Sequence, residues 1–186
     1  MISQHFSKIA ICAIMVFCVS CRGKKDFVIT DEYVNKEKGI KQDERKNTPR
    51  LSENDRKHFA EKLDVSTSQI TNDELYVSVK KMETTNTTNS AAVAKKIYAE
   101  VYRKKLRGEA IDMFEDKNIE LFKDTGNLRE GDLVFFRIGT DQIISHVGVY
   151  LKNNRFVSSL DSKAQIYELK SGKWKNSFVT AGRLKE

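Results

Sequence analysis

Apolar residues follow a helical spacing in the first half of the chain and short, strand-like runs in the second half. Val93, Ile97 and Val101 recur at four-residue intervals, which predicts a helix over residues 91–106 with one buried face. Five apolar runs follow, separated by turn-forming glycine and asparagine residues, and they predict strands over residues 132–137, 146–151, 155–159, 165–169 and 178–184. Helices followed by strands indicate an α+β domain with an antiparallel sheet.

Two helix starts are indicated upstream of the long helix. Ser52 precedes Asp55 by three residues, and Thr71 precedes Glu74 by three, which is the spacing of a capping box. Each pair is followed by apolar residues three or four positions apart, namely Phe59 and Leu63 in the first case and Leu75, Val79 and Met82 in the second. We therefore predict a helix after each pair.

The polar segment between the second helix and the long helix, residues 83–90, reads ETTNTTNS and predicts a loop. A further short helix is predicted over residues 112–122, after the long helix and before the first strand. No internal repeat is visible in the sequence.

The N-terminus has the pattern of an export signal. The run of eleven mostly apolar residues at 9–19 is too short to span a bilayer and is typical of a signal-peptide core. It ends at Cys18-Val19-Ser20-Cys21, which is similar to a bacterial lipobox and predicts a signal peptide over residues 1–20 with lipidation of Cys21. An ordinary signal peptide and an N-terminal anchor helix remain alternatives.

Residues 21–50 predict a flexible tether that follows the lipidated cysteine. The stretch is rich in Lys, Asp, Glu and Asn, has little apolar periodicity, and contains the single proline, Pro49. The folded domain is therefore predicted to occupy residues 51–186.

Charge and cysteine usage limit the classes of function. The net charge is +7, and removal of a leader that contains Lys8 would leave +6. Such an excess is compatible with a solvated surface or with anionic headgroups and wall polymers, and no nucleic-acid-binding motif accompanies it. The three cysteines all lie within the first 21 residues, so no disulfide is predicted inside the mature chain.

Several segments of the second half resemble the NlpC/P60 cysteine peptidases of bacterial cell walls, which have a papain-like fold. The matching segments are residues 128–136 (LREGDLVFF), 145–151 (SHVGVYL) and 154–157 (NRFV), with a weaker match around Lys173-Trp174-Lys175, Phe178 and Arg183. The resemblance implies a peptidoglycan substrate and a domain in which helices pack on an antiparallel sheet.

The resemblance also implies three catalytic positions. In the family, a cysteine at the start of the long helix attacks the amide carbonyl of a stem peptide, a strand histidine transfers the proton, and a third polar residue orients that histidine. His146 matches the histidine, and Ser158, twelve residues later, matches the third position. Asn89 falls at the nucleophile position, where an amide cannot act as a nucleophile.

Because the cysteine is absent, the leading hypothesis is a catalytically inactive relative that acts as a binding or regulatory module. One alternative is an active amide hydrolase that uses a hydroxyl of Ser90 or Thr88 with His146 as base. A one-residue shift rotates a helical side chain by about 100°, so Ser90 is expected to point away from His146. A simpler role for Asn89 or Ser90 is to cap the helix, since both residue types are preferred there.

The expected partners are peptidoglycan or an envelope protein, and the membrane through lipidated Cys21. Another alternative is therefore an interaction or inhibitor module for a second wall hydrolase. We expect no nucleic acid, no cofactor and no metal, because His58 and His146 are far apart in sequence and lack ligand spacing. The predicted location is the bacterial envelope, with the lipid anchor in a membrane and the domain facing the periplasm or the exterior.

Overall fold

The computed structural model describes residues 49–87, 89–140 and 143–185. The predicted signal peptide and Cys21, together with the tether up to residue 48, lie outside the described residues. Among the described residues, no helix has both the length and the apolar character needed to cross a membrane.

The described residues form an α+β domain, as predicted. The helices are α1 (Glu53–Leu63), α2 (Asp73–Thr84), α3 (Ser90–Val101), α4 (Ala110–Phe114) and α5 (Gly172–Ser177). The strands are β1 (Ile119–Phe122), β2 (Leu133–Phe136), β3 (His146–Tyr150), β4 (Arg155–Ser159), β5 (Ala164–Glu168) and β6 (Phe178–Leu184). All five predicted strands are present, with bounds within one residue of the prediction.

The strands form one antiparallel sheet in the order β1-β6-β2-β3-β4-β5. The last strand of the chain is therefore inserted between the first two. At one end of the sheet, Phe136 at the end of β2 is paired with His146 at the start of β3. This end of the sheet carries the candidate site.

The sheet has an apolar cluster on each face. One face packs against α1–α4 through Leu133, Phe135, Val147 and Val149. The other face carries a second cluster, which consists of Val134, Phe136, Tyr150, Phe156, Leu169, Trp174 and Ala181. The alternation of side chains along each strand separates the two sets.

Gly148 in β3 allows the aromatic rings of the second cluster to approach the sheet closely. A Cβ atom at Gly148 would lie 2.3 Å from Cδ2 of Phe156 and 3.1 Å from the carbonyl oxygen of Val157. A larger residue at this position would therefore displace the Phe156 ring.

The cap of α1 is the predicted one, but the cap of α2 is not. Ser52 Oγ accepts a hydrogen bond from the Asp55 N–H at 3.1 Å. At α2 the cap is Asn72 instead of Thr71, and Asn72 Oδ1 accepts from the Leu75 N–H at 3.1 Å. Asparagine also satisfies a free N–H at a helix start, so the two neighbouring candidates could not be ranked from spacing alone.

Helix α3 ends at Val101, five residues before the predicted end. Arg103 adopts a left-handed conformation with φ 54°, and the Lys104 N–H returns to the Tyr98 carbonyl at 3.1 Å. This turn redirects the chain so that Leu106 is buried in the core. Burial of Leu106 thus takes precedence over continuation of the helical pattern.

The predicted helix over residues 112–122 is wrong. Only α4, which ends at Phe114, is helical, and residues 119–122 form the edge strand β1. Asp116 makes the turn between them, because its side chain and carbonyl accept the N–H groups of Asn118 and Ile119. Strand β1 pairs with β6, which lies about sixty residues later, so no local pattern indicates it.

Candidate functional site

The candidate site lies where the start of α3 meets the first residues of β3. His146 is the first residue of β3, Ser158 lies in the neighbouring strand β4, and Asn89 and Ser90 lie at the start of α3. The fold thus brings the predicted positions to one end of the sheet. The contacts of the four side chains differ from the arrangement predicted for a catalytic triad.

His146 and Ser158 are joined by a hydrogen bond. His146 Nε2 and Ser158 Oγ are 2.8 Å apart, and the same hydroxyl donates to the Val147 carbonyl at 2.7 Å. Since a hydroxyl has one hydrogen, these two contacts are both satisfied when Nε2 carries the ring proton and donates to Ser158. Ser158 therefore fixes the orientation of the ring and leaves Nδ1 as the unprotonated nitrogen.

The His146 ring is covered by aromatic side chains of the second cluster. Its centroid lies 5.3 Å from that of Trp174 in α5 and 6.4 Å from that of Phe136. The residue is only 7% exposed. Burial, with a smaller contribution from the nearby Lys173 ammonium, lowers the pKa of His146 to about 4. The imidazole is therefore neutral at pH 7.

Asn89 caps α3, and in the described part of the chain no hydrogen bond joins it to His146. Its Oδ1 accepts from the Ala92 N–H at 3.0 Å, and its Nδ2 donates to a carboxylate oxygen of Glu109 at 2.8 Å. The residue is exposed. The capping alternative for Asn89 is confirmed, because both functions of the amide are used at the helix start.

Ser90, the next residue, faces the sheet. It is 7% exposed, and its Oγ accepts a hydrogen bond from the Val147 N–H at 3.3 Å. Ser90, which the sequence predicts to point away from His146, lies on the buried face of α3 with Ala91 and Ala94 and contacts the neighbouring Val147. Within the described part of the chain, however, no hydrogen bond joins Ser90 to the His146 ring.

The loop before α3 is bonded to the turn between β4 and β5. The Thr87 N–H donates to the Ser162 carbonyl at 2.8 Å, and the Ser159 hydroxyl donates to the Thr87 carbonyl. Asn86 also forms a β-bridge with Lys163. These contacts fix the loop beside the candidate site. Thr88, the other hydroxyl considered as a nucleophile, lies outside the described residues.

The sequence located His146 and Ser158 but gave no indication that Trp174 would cover the ring. Trp174 is 5% exposed and packs within the second cluster. His58 is exposed on α1, well separated in sequence and fold from His146. The residues described hold no group of three or more potential metal ligands.

Sequence comparison finds short regions of similarity to cell-wall enzymes. The bifunctional muramidase/DL-endopeptidase CwlT of Bacillus subtilis is 49% identical over 57 residues, which are 30% of this chain and 17% of CwlT. The probable endopeptidase YafL of Escherichia coli is 30% identical over 89 residues, which are 47% of this chain and 35% of YafL. This chain therefore matches well under half the length of either relative.

Structural and family comparisons agree with the fold. The crystal structure of a lipoprotein-like NLP/P60 family protein from Staphylococcus aureus has a TM-score of 0.53 and 16% identity, with 75% of this chain and 44% of that chain covered. A family model for NlpC/P60 matches residues 85–183, more than half of the chain, including α3, strands β1 to β5 and β6 as far as Arg183. The chain therefore belongs to the NlpC/P60 family.

Proposed function

We propose that this chain is an envelope lipoprotein, anchored through Cys21, whose NlpC/P60 domain binds peptidoglycan or regulates an envelope protein without cleaving stem peptides. The observation that carries the proposal is the side chain at the start of α3. Ser90, and no thiol, lies there against the His146 strand, and the sequence has no cysteine after Cys21.

The low pKa of His146 supports a catalytically inactive site. In a cysteine peptidase, a thiolate next to the histidine favours the imidazolium form, which raises the pKa of the histidine. Here no such anion offsets burial and Lys173, and the pKa of His146 is about 4. A base this weak is poorly matched to deprotonating a serine hydroxyl, because general bases work best with a pKa near the operating pH.

Coverage of the site supports the same conclusion. Trp174 and Phe136 lie over the His146 ring, and both His146 and Ser90 are 7% exposed. A stem peptide would need α5 to move before its carbonyl could approach the His146 ring. Family membership and the similarity to named endopeptidases nonetheless favour the cell wall as the place of action.

The first test uses the purified mature protein with isolated sacculi. We expect no release of soluble muropeptides by chromatography, and we expect the protein to sediment with the sacculi. Release of muropeptides that His146→Ala abolishes would refute the proposal. If the protein remains in the supernatant, peptidoglycan is excluded as the ligand. The other part of the proposal, regulation of an envelope protein, is then tested by capture of that protein from a membrane extract.

A second candidate is a serine-dependent amide hydrolase. Ser90 supports it, because this hydroxyl lies at a helix N-terminus and accepts the N–H of Val147, the residue next to His146 in β3, while His146 itself is oriented by Ser158. The candidate predicts that a fluorophosphonate probe acylates Ser90, as detected by peptide mass mapping. Absence of label in the wild type, with label on a control serine hydrolase, would eliminate it.

The proposed anchor is tested separately from the domain. Wild-type chain expressed in a bacterial host should incorporate a radiolabelled fatty acid and fractionate with membranes. Cys21→Ser should lose the label and move to the soluble envelope fraction, whereas Cys18→Ser should keep both properties. Retention of Cys21→Ser in the membrane fraction would favour an N-terminal anchor helix.

A further inference from the structure

The solvent-facing side of α3 and the segment that follows it concentrate positive charge. Residues 95–107 contain six cations and one carboxylate, a net charge of +5 in a chain whose total is +7. The cations are Lys95, Lys96, Arg103, Lys104, Lys105 and Arg107. We call the surface formed by these six residues the cationic face.

The single carboxylate in this segment accepts a hydrogen bond from α2. Glu100 accepts a hydrogen bond from the buried hydroxyl of Ser78 at 2.8 Å, on the side where α3 meets α2. With this carboxylate included, residues 95–107 still carry a net charge of +5. The amphipathic pattern of α3 leaves the lysines on the side opposite the core.

Ion pairs neutralise the cationic face only weakly. The nearest carboxylate oxygen lies 3.9 Å from Lys95 Nζ, on Glu109, and 3.7 Å from Arg103 Nη2, on Glu74. Exposed pairs at such distances contribute little. In the part of the chain that the structure describes, the other four cations have no carboxylate oxygen within 4.0 Å; they are Lys96, Lys104, Lys105 and Arg107.

An apolar groove runs between the cations. Ala92 and Ala99, two helical turns apart on α3, form its floor together with Leu106, and the groove has a volume of about 720 Å³. The alanine side chains are small and leave space in the groove, and the longer lysine and arginine side chains form its edges. The surface thus offers uncharged contact area flanked by separated cations.

We propose that the cationic face binds a linear polymer of phosphodiester-linked, hydroxylated units, the chemistry of a teichoic-acid type wall polymer. Phosphates would pair with the cations, and the uncharged units between them would lie on the alanine floor. The surface lacks the exposed apolar side chain that would insert into a bilayer, because Leu106 is 4% exposed. Among the described residues, the large exposed apolar side chains are Leu121 and Ile143, both outside this face.

This inference goes beyond the proposed function and does not depend on the His146 site. The ligand differs from peptidoglycan in carrying a phosphodiester between successive units, and α3 contributes its outer side instead of its N-terminal residue. If the chain does not bind the polymer, its sedimentation with peptidoglycan can still be tested. If the chain does not bind peptidoglycan, its binding to the polymer can still be tested.

The test measures binding of the full mature chain to purified poly(glycerol phosphate) by calorimetry. The wild type should bind, and Lys96→Glu/Lys105→Glu should weaken binding at least tenfold. The slope of log affinity against log salt should also fall by about 0.7 for each phosphate that the variant no longer neutralises, as for single-stranded polyanions. The matched control, Lys163→Glu/Lys170→Glu, makes the same change in net charge at exposed positions on the β4–β5 side and should remain within twofold of the wild type.

A variant with unchanged net charge tests whether the apolar groove contributes to binding in addition to the electrostatic attraction of the cations. Ala99→Trp fills the floor at an exposed position and should weaken polymer binding about fivefold, with the folded state checked by circular dichroism. Equal losses in both glutamate pairs, or no loss in either, would overturn the proposal. Tighter binding to vesicles containing anionic phospholipid, or to single-stranded DNA, than to the polymer would also overturn it.

Discussion

His146 shows how the surroundings of one residue decide what it can do. The ring is held by a hydrogen bond with Ser158, yet Trp174 buries it and no anion favours its protonated form. A histidine with a pKa of about 4 is a neutral packing and hydrogen-bonding group at pH 7. The proposed non-catalytic function assigns this histidine a structural role.

The low pKa of His146 makes the stability of the domain pH-dependent. Because the folded-state pKa of about 4 lies below the unfolded value of about 6.5, the unfolded chain binds the proton more readily, and stability is lost as pH falls from about 6.5 towards 4. Between pH 7 and pH 4.5 the wild type should lose about 2 to 3 kcal/mol more than His146→Gln. Urea denaturation at both pH values measures the difference.

His58→Gln is the matched control for that experiment, because His58 is exposed on α1. It should follow the wild-type dependence on pH. If His146→Gln also follows the wild type, the imidazole is not held in its neutral form by the fold.

Asn89 stabilises helix α3 by capping its N-terminus. Its amide accepts the Ala92 N–H and donates to Glu109, so Asn89→Ala removes the cap of α3 and should lower the free energy of unfolding by about 1 kcal/mol. Asn89→Ser retains an accepting oxygen and should lose less. Thermal unfolding of the two variants compares them, and equal stability of wild type and Asn89→Ala would contradict the assigned cap.

At the scale of the elements, α5 is the part of the fold that closes the site. It places Trp174 over the His146 ring and Lys173 near the imidazole, and the Lys173 ammonium lies 5.4 Å from the Trp174 ring centroid. Strand β3 supplies the histidine, but this short helix sets its electrostatic environment. The element is only six residues long and depends on the second cluster for its position.

Removing the cover should therefore raise the pKa of His146. In Trp174→Ala we expect it to move from about 4 towards 6.5, measured by NMR titration of the ring protons, with a stability loss of about 3 to 5 kcal/mol from the deleted side chain. Lys173→Gln should raise the pKa less, because burial is the larger cause. A larger effect in Lys173→Gln than in a folded Trp174→Ala would show that charge, and not burial, dominates.

The elements also show what the sequence could predict. The five C-terminal strands are predicted within one residue because each is an apolar run between turn residues. Strand β1 escapes prediction because its pairing with β6 is distant in sequence, and the end of α3 is misplaced because burial of Leu106 requires a turn.

The candidate site, like the strands, can be predicted only in part from the sequence. The family resemblance implies that His146 and Ser158, which both belong to locally recognisable strands, lie together, and they are hydrogen-bonded. Which of Asn89 and Ser90 faces the sheet could not be predicted, because a shift of one residue in the helix start exchanges their directions. Trp174 covers the His146 ring because α5 packs on the face of the sheet that carries the second cluster. No local sequence pattern indicates this packing.

At the scale of the whole molecule, the C-terminal strand completes the middle of the sheet. Strand β6 lies between β1 and β2, so the sheet cannot form in order along the chain. The pair of Arg183 and Asp132 joins β6 to the start of β2 with two contacts, Nε to Oδ1 at 2.8 Å and Nη2 to Oδ2 at 2.7 Å. Asp132 is 3% exposed, so this is a bidentate ion pair with a buried carboxylate.

Removing the arginine should leave that buried carboxylate poorly compensated. Arg183→Met is expected to lower the free energy of unfolding by about 3 kcal/mol at pH 7, because breaking one partner of a buried pair is more costly than replacing both. Asp132→Asn/Arg183→Met removes both charges and should be less destabilised than the sum of the two single variants. Urea denaturation of all four proteins completes a double-mutant cycle with a coupling of at least about 1 kcal/mol. Additive losses would mean that Arg183 contributes through its packing on Phe122, whose ring centroid lies 5.1 Å from the guanidinium carbon, and not through Asp132.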